Sequence, residues 1–244
     1  MSKFFVAVLA LLILSLAIYS PNIVRVYKLA NLYNEKSIAK NFISIDKIFE
    51  TSSPIPASEK PYIFEKKEYD LPESYVFEGD ELNLLDGLDH FHTDGLIILH
   101  NGKMLFENYW NGNTKDSKHI AFSVSKSYLS ALFGIAVDEG LIESIDDKVS
   151  KYLDDFDGTG YEDVKIKNLL QMSSGIEFNE DYADPNSDIN RFARATARGS
   201  SFRDFAKTLK NGREQGTYNH YVSIDTQVLG MILESVTDMP LREY

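Results

Sequence analysis

Ala121-Phe122-Ser123-Val124-Ser125-Lys126-Ser127, residues 121–127, is the stretch on which the reading of this chain turns. Beyond it, apolar residues recur at helical spacing (Tyr128, Leu129, Leu132, Ile135, Ala136), and Gly140 suits a C-terminal cap. The pattern predicts a helix from Ser123 to Glu139 with Ser123 and Lys126 at its start. Three residues apart on a helix means one face, so the hydroxyl and the amine can meet. A serine hydroxyl is a weak nucleophile until a neighbouring base takes its proton. A lysine is such a base only when burial or nearby positive charge lowers its hold on the proton. The helix N-terminus supplies positive potential, which favours that shift and a developing oxyanion. Alone, Ser-x-x-Lys fits a capped surface helix as well, so its surroundings must decide.

Upstream, Asp94-Gly95 introduces the β-rich run Leu96-Ile97-Ile98-Leu99-His100, followed by Asn101-Gly102 and a second run from Lys103 to Trp110. Asn and Gly both tolerate positive φ, so the two runs predict a hairpin. Leu96, Ile98, Met104 and Phe106 would form its apolar face. Downstream, Lys167 to Met172 reads as a short helix stopped by Ser173-Ser174-Gly175, and Phe202–Leu209 and Thr226–Val236 read as further helices. A hairpin leading into a mainly helical stretch makes the fold class α+β.

Phe122-Ser123-Val124-Ser125-Lys126-Ser127 resembles the nucleophile motif of class C β-lactamases and their relatives: esterases, D-aminopeptidases and 6-aminohexanoate-dimer hydrolases. The segment Gly95 to Lys103 is similar to that family's first hairpin. Leu169-Leu170-Gln171-Met172-Ser173-Ser174-Gly175-Ile176 is similar to a further family segment, with Met172 where a His is usual. The family's second motif, Tyr-x-Asn, aligns with Tyr221-Val222-Ser223, ahead of Asp225-Thr226-Gln227-Val228-Leu229-Gly230. Tyr218, with Asn219 directly after it, fits the spacing less well. Ser223 then stands in place of the usual Asn, as in the branch resembling 6-aminohexanoate-dimer hydrolases. The resemblance implies a β-lactamase/transpeptidase-like fold, an antiparallel sheet with flanking helices plus an all-helical subdomain, with the site between them. It implies Ser123 as nucleophile, Lys126 as base, Tyr221 as proton relay and Ser223 as a substrate contact. The expected reaction is hydrolysis of an ester, amide or peptide bond through an acyl-enzyme, with β-lactam turnover placed in doubt by Ser223. The third motif, a Lys/His-x-Gly strand, is missing before the chain stops at Tyr244, so the domain is expected to be incomplete at its C-terminus. Residues 61–244 expressed alone are accordingly expected to be poorly soluble and catalytically silent. An inactive envelope-binding relative is the alternative.

The formal net charge of −12 argues against nucleic-acid partners, since such a surface repels a phosphate backbone. There are no cysteines, hence no disulfide or thiolate chemistry. No cofactor is expected. His90-Phe91-His92-Thr93-Asp94 has the His-x-His-x-Asp spacing of zinc hydrolases, but Gly95 follows where a further ligand is usual, which leaves a metal-dependent hydrolase as a remote alternative. The acid-rich stretch Glu177 to Asp188 reads as a solvated loop or, more sharply, as a cleft rim favouring amine-bearing substrates. Lys3 and the apolar run Phe4 to Tyr19 read as an export signal or membrane anchor over residues 1–24, with 25–60 a stalk and 61–244 the hydrolase domain. The expected location is extracytoplasmic, with the membrane as a partner through that helix.

Overall fold

The computed structural model describes residue 24, residues 27–28, 31–47 and 54–244. The apolar run Phe4 to Tyr19 therefore lies outside the described residues. Among those described, no helix is long and apolar enough to cross a membrane. The chain divides into two compact units, Met1–Ile120 and Ala121–Tyr244.

The first unit carries the strands. After the short helix α1 (Ile38–Phe42) come β1 (Glu65–Lys66), β2 (Ser74–Phe77), β3 (Asp80–Asn83), α2 (Leu84–His90), β4 (Gly95–His100) and β5 (Lys103–Tyr109). β4 and β5 pair antiparallel, with a bulge between Ile98 and Leu99, and β1 joins β5 in parallel to give the order β1-β5-β4. The predicted hairpin is present. Asn101 and Gly102 sit at φ 47° and 73°, the left-handed turn whose twist matches that of the strands. A second hairpin, β2–β3, turns the same way at Glu78 (φ 52°) and Gly79 (φ 95°). Leu96 and Ile98 are half-buried while Ile97 and Leu99 are exposed, the alternation of a one-sided sheet.

The second unit is helical: α3 (Ser125–Asp138), α4 (Ile166–Leu170), α5 (Asp188–Ala197), α6 (Phe202–Lys207) and α7 (Ser223–Thr237). The α+β class expected from the sequence is the class observed. α7 is the hub, packing against α3, α4 and α6. Its Ile224, Val228, Leu229, Ile232 and Leu233 are buried, each stabilising the fold by roughly 1.5–3 kcal/mol. α3 faces this core with Leu129, Leu132, Phe133 and Ala136, a stripe at helical spacing. Two boundaries differ from the periodicity. α3 begins at Ser125, because residues Phe122–Val124 form a separate 3₁₀ turn. α7 begins at Ser223, earlier than its apolar pattern, because a carboxylate from a distant segment caps it.

Candidate active site

Phe122 opens the 3₁₀ turn at φ 43°, a left-handed conformation that a bulky residue adopts only under constraint. Its carbonyl accepts a 2.6 Å hydrogen bond from the Ser125 hydroxyl. The next residue, Ser123, is exposed, and one turn on, the Lys126 Nζ donates to its Oγ at 3.1 Å. The same Nζ lies 5.2 Å from the centroid of the Tyr221 ring, within cation–π range. Ser123, Lys126 and Tyr221 are thus brought together, although Tyr221 comes from a segment almost a hundred residues later.

That segment is clamped on both sides. The His220 amide donates to the Met172 carbonyl at 2.7 Å, and its ring Nε2 bonds the Phe178 carbonyl, also at 2.7 Å. A carbonyl only accepts, so Nε2 carries the proton. Asn219 reaches the Gln171 carbonyl at 2.9 Å, and the Gly216 amide reaches the Ser173 carbonyl at 2.8 Å. Tyr221 is therefore held to the Ser173-Ser174-Gly175 turn, the other stretch that the sequence reading singled out. Gly175 is obligatory there. It sits at φ 78°, and a Cβ on it would fall 2.3 Å from the Arg213 carbonyl oxygen.

After Tyr221, Ser223 opens α7, whose N-cap residue Val222 offers no side-chain cap. Glu180 supplies it instead. Its carboxylate accepts the Ser223 amide at 3.1 Å and the Ser223 hydroxyl at 2.5 Å, and also takes the Tyr182 hydroxyl at 3.0 Å. A carboxylate at a helix N-terminus gains from both the unpaired amides and the helix dipole. Burial, then the charge and hydrogen bond of Glu180, pushes the Tyr182 phenol above its ordinary pKa, against a hydrogen bond from Ser223 that lowers it. Beneath this turn lies Asp225, fully buried. Its Oδ1 accepts the hydroxyl of the equally buried Tyr161 at 2.9 Å, while Oδ2 has no hydrogen-bond partner. Burial raises the Asp225 carboxyl to about 7, against relief from Ser174 and Tyr161 and with Glu180 adding to the rise.

The His90/His92/Asp94 alternative is not assembled. Asp94 pairs with His119 at 3.1 Å, and His90 stacks edge-on against Phe91. Among the described residues no three His, Cys, Asp or Glu side chains converge as metal ligands. Glu180 and Asp225 were not singled out as site residues from sequence. For Glu180 the only signal was the acid-rich stretch; for Asp225 it was an acid amid the apolar pattern of a helix.

Residues 83–244 match the family model described as Beta-lactamase. The chain belongs to the beta-lactamase family. Among its relatives is the 6-aminohexanoate-dimer hydrolase of Paenarthrobacter ureafaciens, 32% identical over 159 residues, which are 62% of this chain and 40% of that protein. Another is a protein of Escherichia coli strain K12 provisionally named as a D-alanyl-D-alanine carboxypeptidase, 23% identical over 219 residues, 79% of this chain and 49% of the relative. The chain thus spans less than half the length of these curated family members. Of solved structures, the provisionally named 6-aminohexanoate-dimer hydrolase from Bacillus anthracis shares the fold, with a TM-score of 0.76 at 18% identity, over 87% of this chain and 58% of that one. The β-lactamase-like fold expected from the resemblance is therefore the fold of this family member.

Proposed function

We propose that this protein is a serine hydrolase that cleaves an ester or amide bond through an acyl-enzyme. The observation that carries the reading is the 3.1 Å contact between the Lys126 amine and the Ser123 hydroxyl, with the Tyr221 ring against the same amine. Along that line Lys126 takes the Ser123 proton while Oγ bonds to the substrate carbonyl carbon. Tyr221 relays the proton to the leaving nitrogen or oxygen as its bond to that carbon breaks. Water then attacks the ester left on Ser123, with the same groups moving the proton in reverse. Ser223 contacts the substrate. The hydrolase names of the family relatives support the reaction class.

We infer export for the whole protein, with residues 4–24 as anchor or signal; the carboxypeptidase name of the second relative supports a cell-envelope setting.

A fluorophosphonate probe tests the chemistry. In the full-length protein the adduct should map to Ser123, vanish in Ser123→Ala, and fall by orders of magnitude in Lys126→Arg, which keeps the charge but cannot give up its proton at working pH. Labelling that survives Ser123→Ala would move the nucleophile elsewhere.

A further inference from the structure

Hydrogen-bond bookkeeping at Ser223 goes beyond assigning it as a substrate contact. A serine offers two donors, its amide N–H and its single hydroxyl proton. Both are spent on one group: the amide on Glu180 Oε2 at 3.1 Å, the hydroxyl on Glu180 Oε1 at 2.5 Å. The second distance is that of a charge-assisted O–H···O⁻ bond. A carboxylate cannot donate back, so the hydroxyl proton is fixed toward Glu180. The third donor at this carboxylate is the Tyr182 hydroxyl, at 3.0 Å, which also lies within hydrogen-bonding reach of the Ser223 hydroxyl and leaves it at least one lone pair to offer. What Ser223 has left is lone pairs. Ser223, two residues after Tyr221, can therefore accept a hydrogen bond and is itself bonded to the Glu180 carboxylate, while on Ser123 the donor is the Lys126 amine.

We propose that the Ser223 hydroxyl is a specificity-determining group that selects substrates carrying an N–H donor beside the scissile carbonyl. The inference rests on the Ser123 hydrolase reading and narrows its substrate class. A substrate that brings a carbonyl or ether oxygen to the same place sets lone pair against lone pair. One that brings an amide N–H or a protonated amine completes the chain N–H···Oγ–H···carboxylate, in which each bond polarises the next. The Asn usual at this position in the resembled family offers a donor as well as an acceptor, so Ser223 with Glu180 removes an option that the Asn side chain would keep.

The test uses the full-length protein and two p-nitrophenyl esters, those of N-acetylglycine and N-acetylsarcosine. They share the leaving group and differ by one N–H replaced with N–CH₃. Wild type should favour the glycine ester by at least about tenfold in kcat/KM, the scale of one well-made hydrogen bond. Ser223→Ala removes the acceptor and should bring the two esters to within about twofold. Glu180→Gln can donate to Ser223 and turn its proton toward the substrate, so it should narrow the ratio by lowering the glycine ester. Equal rates in wild type overturn the inference without recourse to any variant. A preference that persists in Ser223→Ala also overturns it, because the methyl group would then be excluded by shape alone. Failure of the underlying reading looks different: turnover of both esters would survive Ser123→Ala, or neither ester would be turned over, and the inference would fall with it.

Discussion

Asp225 holds a proton that an ordinary aspartate would have lost. Its carboxyl is raised from 3.8 to about 7 because burial penalises the charge more than Ser174 and Tyr161 relieve it. The folded state therefore binds this proton more tightly than the unfolded chain does. The stabilising contribution is complete below about pH 4 and is lost as pH rises through about 7. Urea denaturation should thus show lower stability at pH 8 than at pH 5, and Asp225→Asn should shrink that difference, since the amide is neutral at both. Wild type and variant with the same pH dependence would refute this. Tyr161, whose own phenol is pushed well up by burial and then by Asp225, stays neutral across the window. Ser123 and Lys126 could be singled out in the sequence by their spacing at a helix start, and Tyr221 by the family motif that its segment resembles. Asp225 and Glu180 could not, because what distinguishes them is burial and pairing across tens of residues, which no local pattern encodes.

At the scale of elements, legibility followed the turn chemistry. The β4–β5 hairpin is announced by Asn101-Gly102 between two β-rich runs. The β2–β3 hairpin is not, because its left-handed position falls on Glu78, a residue with no turn preference. α5 is hard to read because Ile189 and Phe192 are the large apolar residues of Asp188–Ala197 and its other apolar residues are alanines; Ser187, whose hydroxyl accepts the Asn190 amide, starts it. α7 started early because Glu180, 43 residues away in sequence, supplies the missing cap. Among the turns that position the site, Ser173-Ser174-Gly175 is the most exacting. The Gly175 carbonyl takes the amides of Gly212 and Arg213, and that approach excludes a Cβ. Gly175→Ala combines a clash with a left-handed φ, and should cost more than about 2 kcal/mol in thermal or urea denaturation. A loss under about 0.5 kcal/mol, the range of neutral surface changes, would show that the turn relaxes freely.

Among the described residues, the buried apolar core lies almost entirely within Ala121–Tyr244, in the unit that carries the candidate site. Periodicity made that helical core largely readable, whereas the division at residue 120 was not, since no Gly- or Pro-rich linker marks it. The export proposal rests on Lys3 and the apolar run Phe4 to Tyr19. A reporter fused after Tyr244 that is active only when exported should therefore give signal, and replacing Leu11 and Leu12 with Lys should abolish it, since charge at the centre of such a run opposes insertion. A wild-type fusion that accumulates without giving signal would contradict the export reading.

On the proposed hydrolase reading, Phe122, at φ 43° immediately before Ser123, sets folding and turnover at odds. Left-handed backbone at a bulky residue costs on the order of 1–3 kcal/mol and persists where its surroundings impose it. In a library randomised at codon 122, cells sorted for protein abundance should be enriched in Gly, Asn and Asp, which enter that region most cheaply. The same library sorted for hydrolysis should be depleted of Gly, since a relaxed hinge lets Ser123, the proposed nucleophile, drift from Lys126. Identical winners in both sorts would mean that evolution left the strain there for no catalytic return.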